Sequence, residues 1–266
     1  MFASQGRPIA VADIIEDNTA GYFLSLGHAN GCEVCDRPDI KYVFAGCGYN
    51  RIMHARFTAE QADGVVRQIA MRLDALGIDA LWFITPASAP ELPATLERYG
   101  FTYSRDMKSM AIGLSAFSPD PGLPAGIKIR EVAGRDDADA WAQVVVASYW
   151  PDDDVHRHYG SHLIARDWTA DSPRHNYLGW LDGRPVATAV LFEGKEAAGI
   201  YYVGTLPGAR NQGIATAMMQ HVLQEAKARG FRIAILNASA AGQPLYRRLG
   251  FADCFATAIY HRPAHR

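Results

Sequence analysis

The stretch V-G-T-L-P-G-A-R-N-Q-G-I-A-T, running from Val203 to Thr216, brings together the parts of an anion site. A β-branched and aromatic run, Ile200 to Val203, reads as a strand, and Pro207 and Gly208 turn the chain. A helix then begins at Gly213 without a usual capping residue, so its first N–H groups have no internal partners and face outward with the positive end of the helix dipole. Gly213 lets a phosphate approach the backbone, Ala215 keeps the first turn small, Arg210 adds a cation with several donors, and Thr216 offers a hydroxyl. The Gly-Lys-Ser/Thr of a P-loop and the G-x-G-x-x-G of dinucleotide folds are both missing from this turn. A diphosphate held without a metal ion is the ligand this pattern suits; the bland alternative is a strand–turn–helix corner with a solvated arginine.

Other groups with chemical potential are weaker. Cys32 and Cys35 form a C-x-x-C, but a zinc site needs further ligands, with only His28 or His54 in reach and no second close pair. Asp154, His158 and His162 share one helical face, again without a further ligand, so no metal is expected. Asp152, Asp153 and Asp154, with Tyr149 and Trp150 as an aromatic wall, can attract a cationic amine, or can simply be the acidic start of a helix.

The elements around these residues follow from periodicity. Ile127–Val132 is a strand, and Asp136 and Asp137 open a helix through Trp141 and Val145. The segment 175–206 reads as a three-stranded meander turning at Asp182-Gly183 and Glu193-Gly194-Lys195. Ile214, Ala217, Met218, Val222 and Ala226 keep helical spacing in a helix that reaches about Arg229 and stops at Gly230. F-R-I-A-I-L-N-A is a buried strand, G-Q-P-L-Y-R-R-L-G a short helix, and F-A-D-C-F-A-T-A-I-Y-H further strand material. The first half repeats the order helix, strand, short helix, strand, and L-E-R-Y-G-F echoes Y-R-R-L-G-F. Aligning Gly77 with Gly230 puts Glu60 where Gly213 stands; aligning the two Gly-Phe pairs puts Leu96 where Tyr246 stands. Between the halves, Ser115–Gly126 carries Pro119, Pro121 and Pro124 and reads as a linker. The expected domains are therefore 1–114, a linker 115–126, and 127–266.

Bulk properties narrow the partners. The 266 residues, 49% of them hydrophobic, suit two modest domains with buried cores. Twenty-six Lys and Arg against 28 Asp and Glu give a net charge of −2, and there is no long basic run, so neither nucleic acid nor an anionic membrane is an expected partner. No apolar stretch approaches the roughly 20 residues of a membrane helix, and the start of the chain lacks a signal-peptide pattern. A cytoplasmic protein, monomer or homodimer, is the expectation.

The turn at Val203–Thr216, followed about thirty residues later by L-Y-R-R-L-G-F, resembles the GCN5-related N-acetyltransferase (GNAT) family, whose members carry Q/R-x-x-G-x-G/A there. The matching positions are Arg210, Gly213 and Ala215, and the resemblance covers roughly Ile127 to His261. The first half, through L-W-F-I-T-P, L-E-R-Y-G-F and M-A-I-G-L, resembles the degenerate N-terminal half of tandem members. The resemblance implies an α/β fold of two GNAT-like domains, each a mostly antiparallel sheet flanked by helices, with a splayed parallel strand pair in the second. It also implies acetyl-CoA as co-substrate, lying between the strand ending near Val203 and the strand ending near Asn237. Val203 and Thr205 would pair with the pantetheine arm, the N–H groups of Asn211, Gln212, Gly213, Ile214, Ala215 and Thr216 would hold the pyrophosphate, and Asn237 would meet the arm from the second strand.

Acetyl transfer to an amine needs a deprotonated amine, a stabilised oxyanion and a leaving thiolate. A backbone N–H near Val203 or Gly204 would serve the oxyanion, and Tyr246 matches the family tyrosine that protonates the sulfur; a core tyrosine is the alternative. The family glutamate four residues before Val203 is Gly199 here, which leaves the base to Glu193, Glu196, water, Tyr201 or Tyr202. The family asparagine seven residues before the tyrosine is Ser239, whose hydroxyl can still hydrogen-bond. The expected activity is N-acetylation of a small-molecule primary amine. A non-catalytic acyl-CoA sensor and a protein or peptide N-acetyltransferase are the alternatives. The first half is expected to bind no CoA, because Glu60 would place a carboxylate where phosphates belong.

Overall fold

The fold was obtained as a computed structural model that describes residues 3–4, 7–8, 11–46, 49–119, 124, 126–150 and 172–264. They form two compact units. The first comprises Met1–Ser109, Ala238–Ala240 and Asp253–Arg266; the second comprises Met110–Asn237 and Ala241–Ala252. Tyr149 and Trp150 lie within the described residues, whereas Asp152, Asp153, Asp154, His158 and His162 lie outside them.

The first unit opens with a two-residue hairpin, β1 (Ala3–Ser4) and β2 (Arg7–Pro8). Helix α1 (Val11–Ala29) and strands β3 (Glu33–Asp36), β4 (Lys41–Phe44) and β5 (Arg51–Met53) follow. Next come helix α2 (Ala59–Leu76), strand β6 (Ala80–Ile84), helix α3 (Leu92–Arg98) and the long strand β7 (Thr102–Gly113), whose last residues belong to the second unit. Its core gathers Trp82, Leu73, Leu92, Leu96 and Phe101, with Phe57 and Phe101 meeting the Trp82 ring edge-on. Burying such a side chain contributes roughly 1.5–3 kcal/mol.

The second unit continues with strand β8 (Ile127–Glu131), helix α4 (Arg135–Tyr149) and the meander β9 (Arg174–Leu181), β10 (Arg184–Glu193) and β11 (Ala198–Thr205). Helix α5 (Ile214–Ala228), strand β12 (Ile233–Ala238), helix α6 (Gln243–Arg248) and strand β13 (Ala252–Arg262) complete the chain. The β9–β10 turn is the Asp182-Gly183 hairpin, with φ of 49° and 78°, the left-handed pair that a tight hairpin of matching twist requires. Helix α5 runs from Ile214, one residue inside the expected start, because Gly213 is its N-cap. Met218, Met219, Val222 and Leu223 are fully buried along it, and Gly230 ends the turn behind it at φ 88°.

The compact units depart from the order of the sequence at the last strand. β13 pairs antiparallel with β6, from Ala258↔Ile84 to Arg262↔Ala80, so it completes the first unit's sheet. Its end is fixed by a nearly buried Arg262, which donates to the Tyr99 carbonyl and to both carboxylate oxygens of Asp74. No helix among the described residues is long and apolar enough to cross a membrane.

Candidate active site

Strands β11 and β12 run parallel but pair only at Ala198↔Ala234 and Gly199↔Ile235. Beyond these positions β11 continues to Thr205 and β12 to Ala238, so the pair splays as expected from the sequence. Gly199, where several members of the resembled family carry a glutamate, therefore sits at the closed end of the opening. The open stretch of β11 begins with Tyr202, a non-glycine residue at φ 48°, at a register shift where Thr188–Val190 of β10 face Gly204–Tyr201, so that β11 carries the extra residue. The Thr188 hydroxyl donates to the Tyr202 carbonyl and holds this bulge. A Cβ on Gly204 would come within 3.0 Å of the Ser148 Cβ, so a larger residue there would force β11 away from α4.

After Thr205 the chain makes a 3-10 turn at Pro207–Ala209 and reaches Asn211 at φ 62° and Gly213 at φ 75°. Two left-handed residues on either side of Gln212 turn successive N–H groups to one side, the arrangement that forms an anion-binding nest. Helix α5 has no side-chain cap, and among the described residues none of the amides of 211–216 donates to a protein acceptor. The Pro124 Cγ stands 3.2 Å from where a Cβ on Gly213 would lie. The Arg210 guanidinium braces this turn. Its Nε donates to the Thr205 carbonyl at 3.1 Å and its Nη2 to the Ser148 carbonyl at 3.4 Å. Gln212 donates to the Gly208 carbonyl.

Tyr246 is buried on α6, its ring 5.9 Å from that of Phe251, and burial pushes its hydroxyl up to about 12. Gly242 lies directly beneath it, since a Cβ there would stand 2.8 Å from the ring. Burial first, and then the neighbouring Tyr246 and Tyr202 phenols, push the Tyr149 hydroxyl well up, and it donates to the Val203 carbonyl at 3.0 Å. The Tyr202 ring also meets those of Trp141 and Tyr149 edge-on. Asn237 is half-buried near the end of β12, and Ser239 is exposed just past it.

Two of the suggested bases lie elsewhere. Glu193 pairs with Ala198 at the far end of β11, six residues or about 20 Å from Gly204. There it accepts from Arg229 at 2.9 Å and meets His175 at 3.0 Å. Glu196 belongs to the same hairpin. Tyr201 is buried against Phe192, which leaves Tyr202 as the tyrosine of that pair beside the opening. Among the described residues no group of three His, Cys, Asp or Glu side chains can hold a metal, and the Cys35 thiol is turned to the Ile40 carbonyl.

The sequence reading missed a cavity of about 600 Å³ in the second unit, lined by Thr216 and Gln220 of α5, Leu245 and Arg248 of α6, Leu249 just past it, and Phe117. It has the size of a cofactor site and begins at the first turn of α5. The signal was there in Y-R-R-L-G-F, whose second arginine, Arg248, shares a short helix with Tyr246.

The first unit has the same plan with its openings filled. β5 and β6 pair in parallel only at Arg51↔Leu81 and Ile52↔Trp82, and His54 follows at φ 55°, a left-handed non-glycine residue as Tyr202 is in β11. Here the buried Glu16 accepts from Thr85 at 2.8 Å and from Arg56, which also bonds Asp13. Helix α2 is closed by a capping box of Thr58 and Gln61. The Glu60 carboxyl is held below its usual range by the Thr58 hydroxyl and its own N–H. Leu96, the counterpart of Tyr246, is a fully buried core residue.

Residues 141–251 match the Acetyltransferase (GNAT) family. A mycothiol acetyltransferase of Cellulomonas flavigena is 27% identical over 193 residues, 65% of this chain and 55% of that protein. The chain thus spans about half the length of the curated relatives it matches. A GCN5-related N-acetyltransferase from Kribbella flavida shares the fold with a TM-score of 0.73 at 18% identity, covering 97% of both chains. A tandem GNAT protein from the clavulanic acid biosynthesis pathway does so with a TM-score of 0.57 at 12% identity, covering 97% of this chain and 98% of that one. Over residues 141–251 the chain is thus similar to the GCN5-related N-acetyltransferase family.

Proposed function

We propose that the second unit is an acetyl-CoA-dependent N-acetyltransferase that acts on the primary amine of a small molecule. The observation that carries this reading is the uncapped start of α5, with its unbonded amides at residues 211–216 beside a splayed strand pair. The pyrophosphate of acetyl-CoA would rest on those amides, where the helix dipole and the nest favour negative charge without an ion. Thr216 and Arg248 would meet the nucleotide end in the adjoining cavity. The pantetheine arm would add to the open edge of β11 at Val203 and Thr205, with Asn237 approaching from β12.

In the reaction the amine nitrogen attacks the thioester carbonyl carbon. The carbonyl oxygen becomes an oxyanion, held by the main-chain N–H of Val203 on the open edge of β11. The C–S bond breaks as the tetrahedral intermediate collapses, and the Tyr246 hydroxyl gives its proton to the departing sulfur. Burial pushes the Tyr246 phenol up to about 12, so the protonated form that a general acid needs persists well into alkaline pH. With Gly199 in place of a glutamate, and Glu193 and Glu196 at the far end of the meander, the ammonium proton leaves through water before attack, and the proton that the nitrogen sheds as the intermediate collapses returns through water to the Tyr246 oxygen. The relatives named mycothiol acetyltransferase favour a small-molecule acceptor over a protein one.

Release of free CoA thiol from acetyl-CoA, measured against a panel of small amines and peptides, tests the proposal. Amine-dependent release is the expected result. Binding of acetyl-CoA without release by any amine would instead favour a non-catalytic acyl-CoA sensor, and release with peptides alone would favour a protein acceptor.

A further inference from the structure

The open edge of β11 is held by side chains of the chain itself. The Leu206 N–H donates to the Val186 carbonyl, and Thr188 faces Gly204 across the β10–β11 ladder. In an antiparallel pair the groups of alternate residues face opposite ways. Residues 204 and 206 therefore face β10, and the Thr205 N–H and carbonyl face the open edge. The Thr205 carbonyl there accepts from Arg210 Nε at 3.1 Å, and two residues earlier the Val203 carbonyl accepts from the Tyr149 hydroxyl at 3.0 Å. Arg210 also reaches the Ser148 carbonyl, so the last turn of α4 is tied to this edge at two neighbouring residues. Tyr149 is 45% exposed and is the last residue of its helix.

We propose that Tyr149 is a positioning residue that stands in for the ligand: its hydroxyl holds the Val203 carbonyl until an amide of the acyl-CoA arm takes that acceptor, and binding turns the freed phenol toward the reacting centre. This rests on the acetyl-CoA reading above. An extended arm carrying amide N–H groups joins a sheet edge by bonding to its carbonyls, and it meets Val203 already engaged. Each binding event therefore exchanges one protein hydrogen bond for one ligand hydrogen bond. The Tyr149 ring that carries the released hydroxyl stands edge-on to Tyr202, which opens the splayed stretch of β11.

The test is Tyr149→Phe, which keeps the ring contacts with Trp150 and Tyr202 and removes only the hydroxyl. Calorimetric titration with acetyl-CoA should show binding tightened by about 2- to 10-fold, the worth of one net hydrogen bond no longer displaced. Titration with adenosine 3′,5′-diphosphate, which lacks the arm, should be unchanged between variant and parent. With a saturating amine, turnover should fall while the Michaelis constant for acetyl-CoA does not rise. In the parent chain, Trp150 fluorescence should change when acetyl-CoA binds and stay constant with the diphosphate. Equal or weaker acetyl-CoA binding by Tyr149→Phe overturns the exchange while leaving the acetyltransferase reading in place. A parent chain that binds no acetyl-CoA overturns that reading, and the exchange with it.

Discussion

Tyr246 and Gly242 act as one device at the scale of single residues. Helix α6 places the phenol, and the absence of a side chain at its N-cap gives the ring room. Tyr246→Phe should cut turnover by about 100-fold or more, the usual range for a lost general acid, with acetyl-CoA binding altered less than about threefold. Gly242→Ala should give the same kinetic signature, because its Cβ would fall 2.8 Å from the Tyr246 ring and push it aside. Equal turnover in either variant, measured by thiol release, would remove Tyr246 from the chemistry. The sign of the pH dependence follows from its environment. The folded-state value, about 12, lies above the ordinary value of 10.0, so the neutral form is favoured by folding. That stability is fully present below pH 10.0 and is lost as pH rises toward about 12, and the acid limb of turnover extends over the same range. A rate loss between about pH 8 and 9 that disappears in Tyr246→Phe would contradict this assignment.

Helix α4 shows how an element is set in place to serve the site. Its first turn carries Asp137, nearly buried, which accepts from both terminal nitrogens of Arg130 on β8 and from the Ala133 N–H. The Arg130 guanidinium holds this carboxyl below its usual range. Asp137→Asn should cost about 1–3 kcal/mol in urea unfolding, as expected for a charged hydrogen bond lost from a buried acceptor. A depressed carboxyl contributes stability above its ordinary value of 3.8 and loses it as pH falls below that, so parent and variant should converge in acid. A gap that persists in acid would place the effect in packing instead. This element was legible in the sequence because Asp136 and Asp137 mark a helix start and Trp141 and Val145 keep its period. The α5 turn was legible because Pro207, Gly208 and Gly213 punctuate it. The Tyr149–Val203 bond and the cavity beside Arg248 were not, since both depend on where distant segments meet.

Across the whole molecule, the two-copy pattern read from L-E-R-Y-G-F and Y-R-R-L-G-F describes the repeat, while the compact units share strands in another way. Sequence periodicity marked the last segment as a strand but carried no information on its partner. In the structure β13 closes the first unit, against β6. Its Ser109–Thr257 hydroxyl contact with β7 and the Arg262–Asp74 pair make it part of that unit's core. Arg262→Ala should therefore destabilise the first unit by about 1–3 kcal/mol, read as an earlier unfolding transition. An unchanged transition would show that β13 is dispensable there. The filled openings of the first unit predict one acetyl-CoA per chain.

The central claim is that main-chain amides at the start of α5 hold a diphosphate without a metal ion. It is tested most directly by titrating acetyl-CoA into the chain in excess chelator, and into Gly213→Asn and Gly213→Asp. Asparagine and aspartate both tolerate the left-handed conformation and differ in charge, so their comparison isolates the electrostatics of the turn. The account predicts one equivalent bound by the parent with chelator present, and binding at least about tenfold weaker for Gly213→Asp than for Gly213→Asn. Binding that needs a divalent ion, or equal affinity in the two variants, would contradict it.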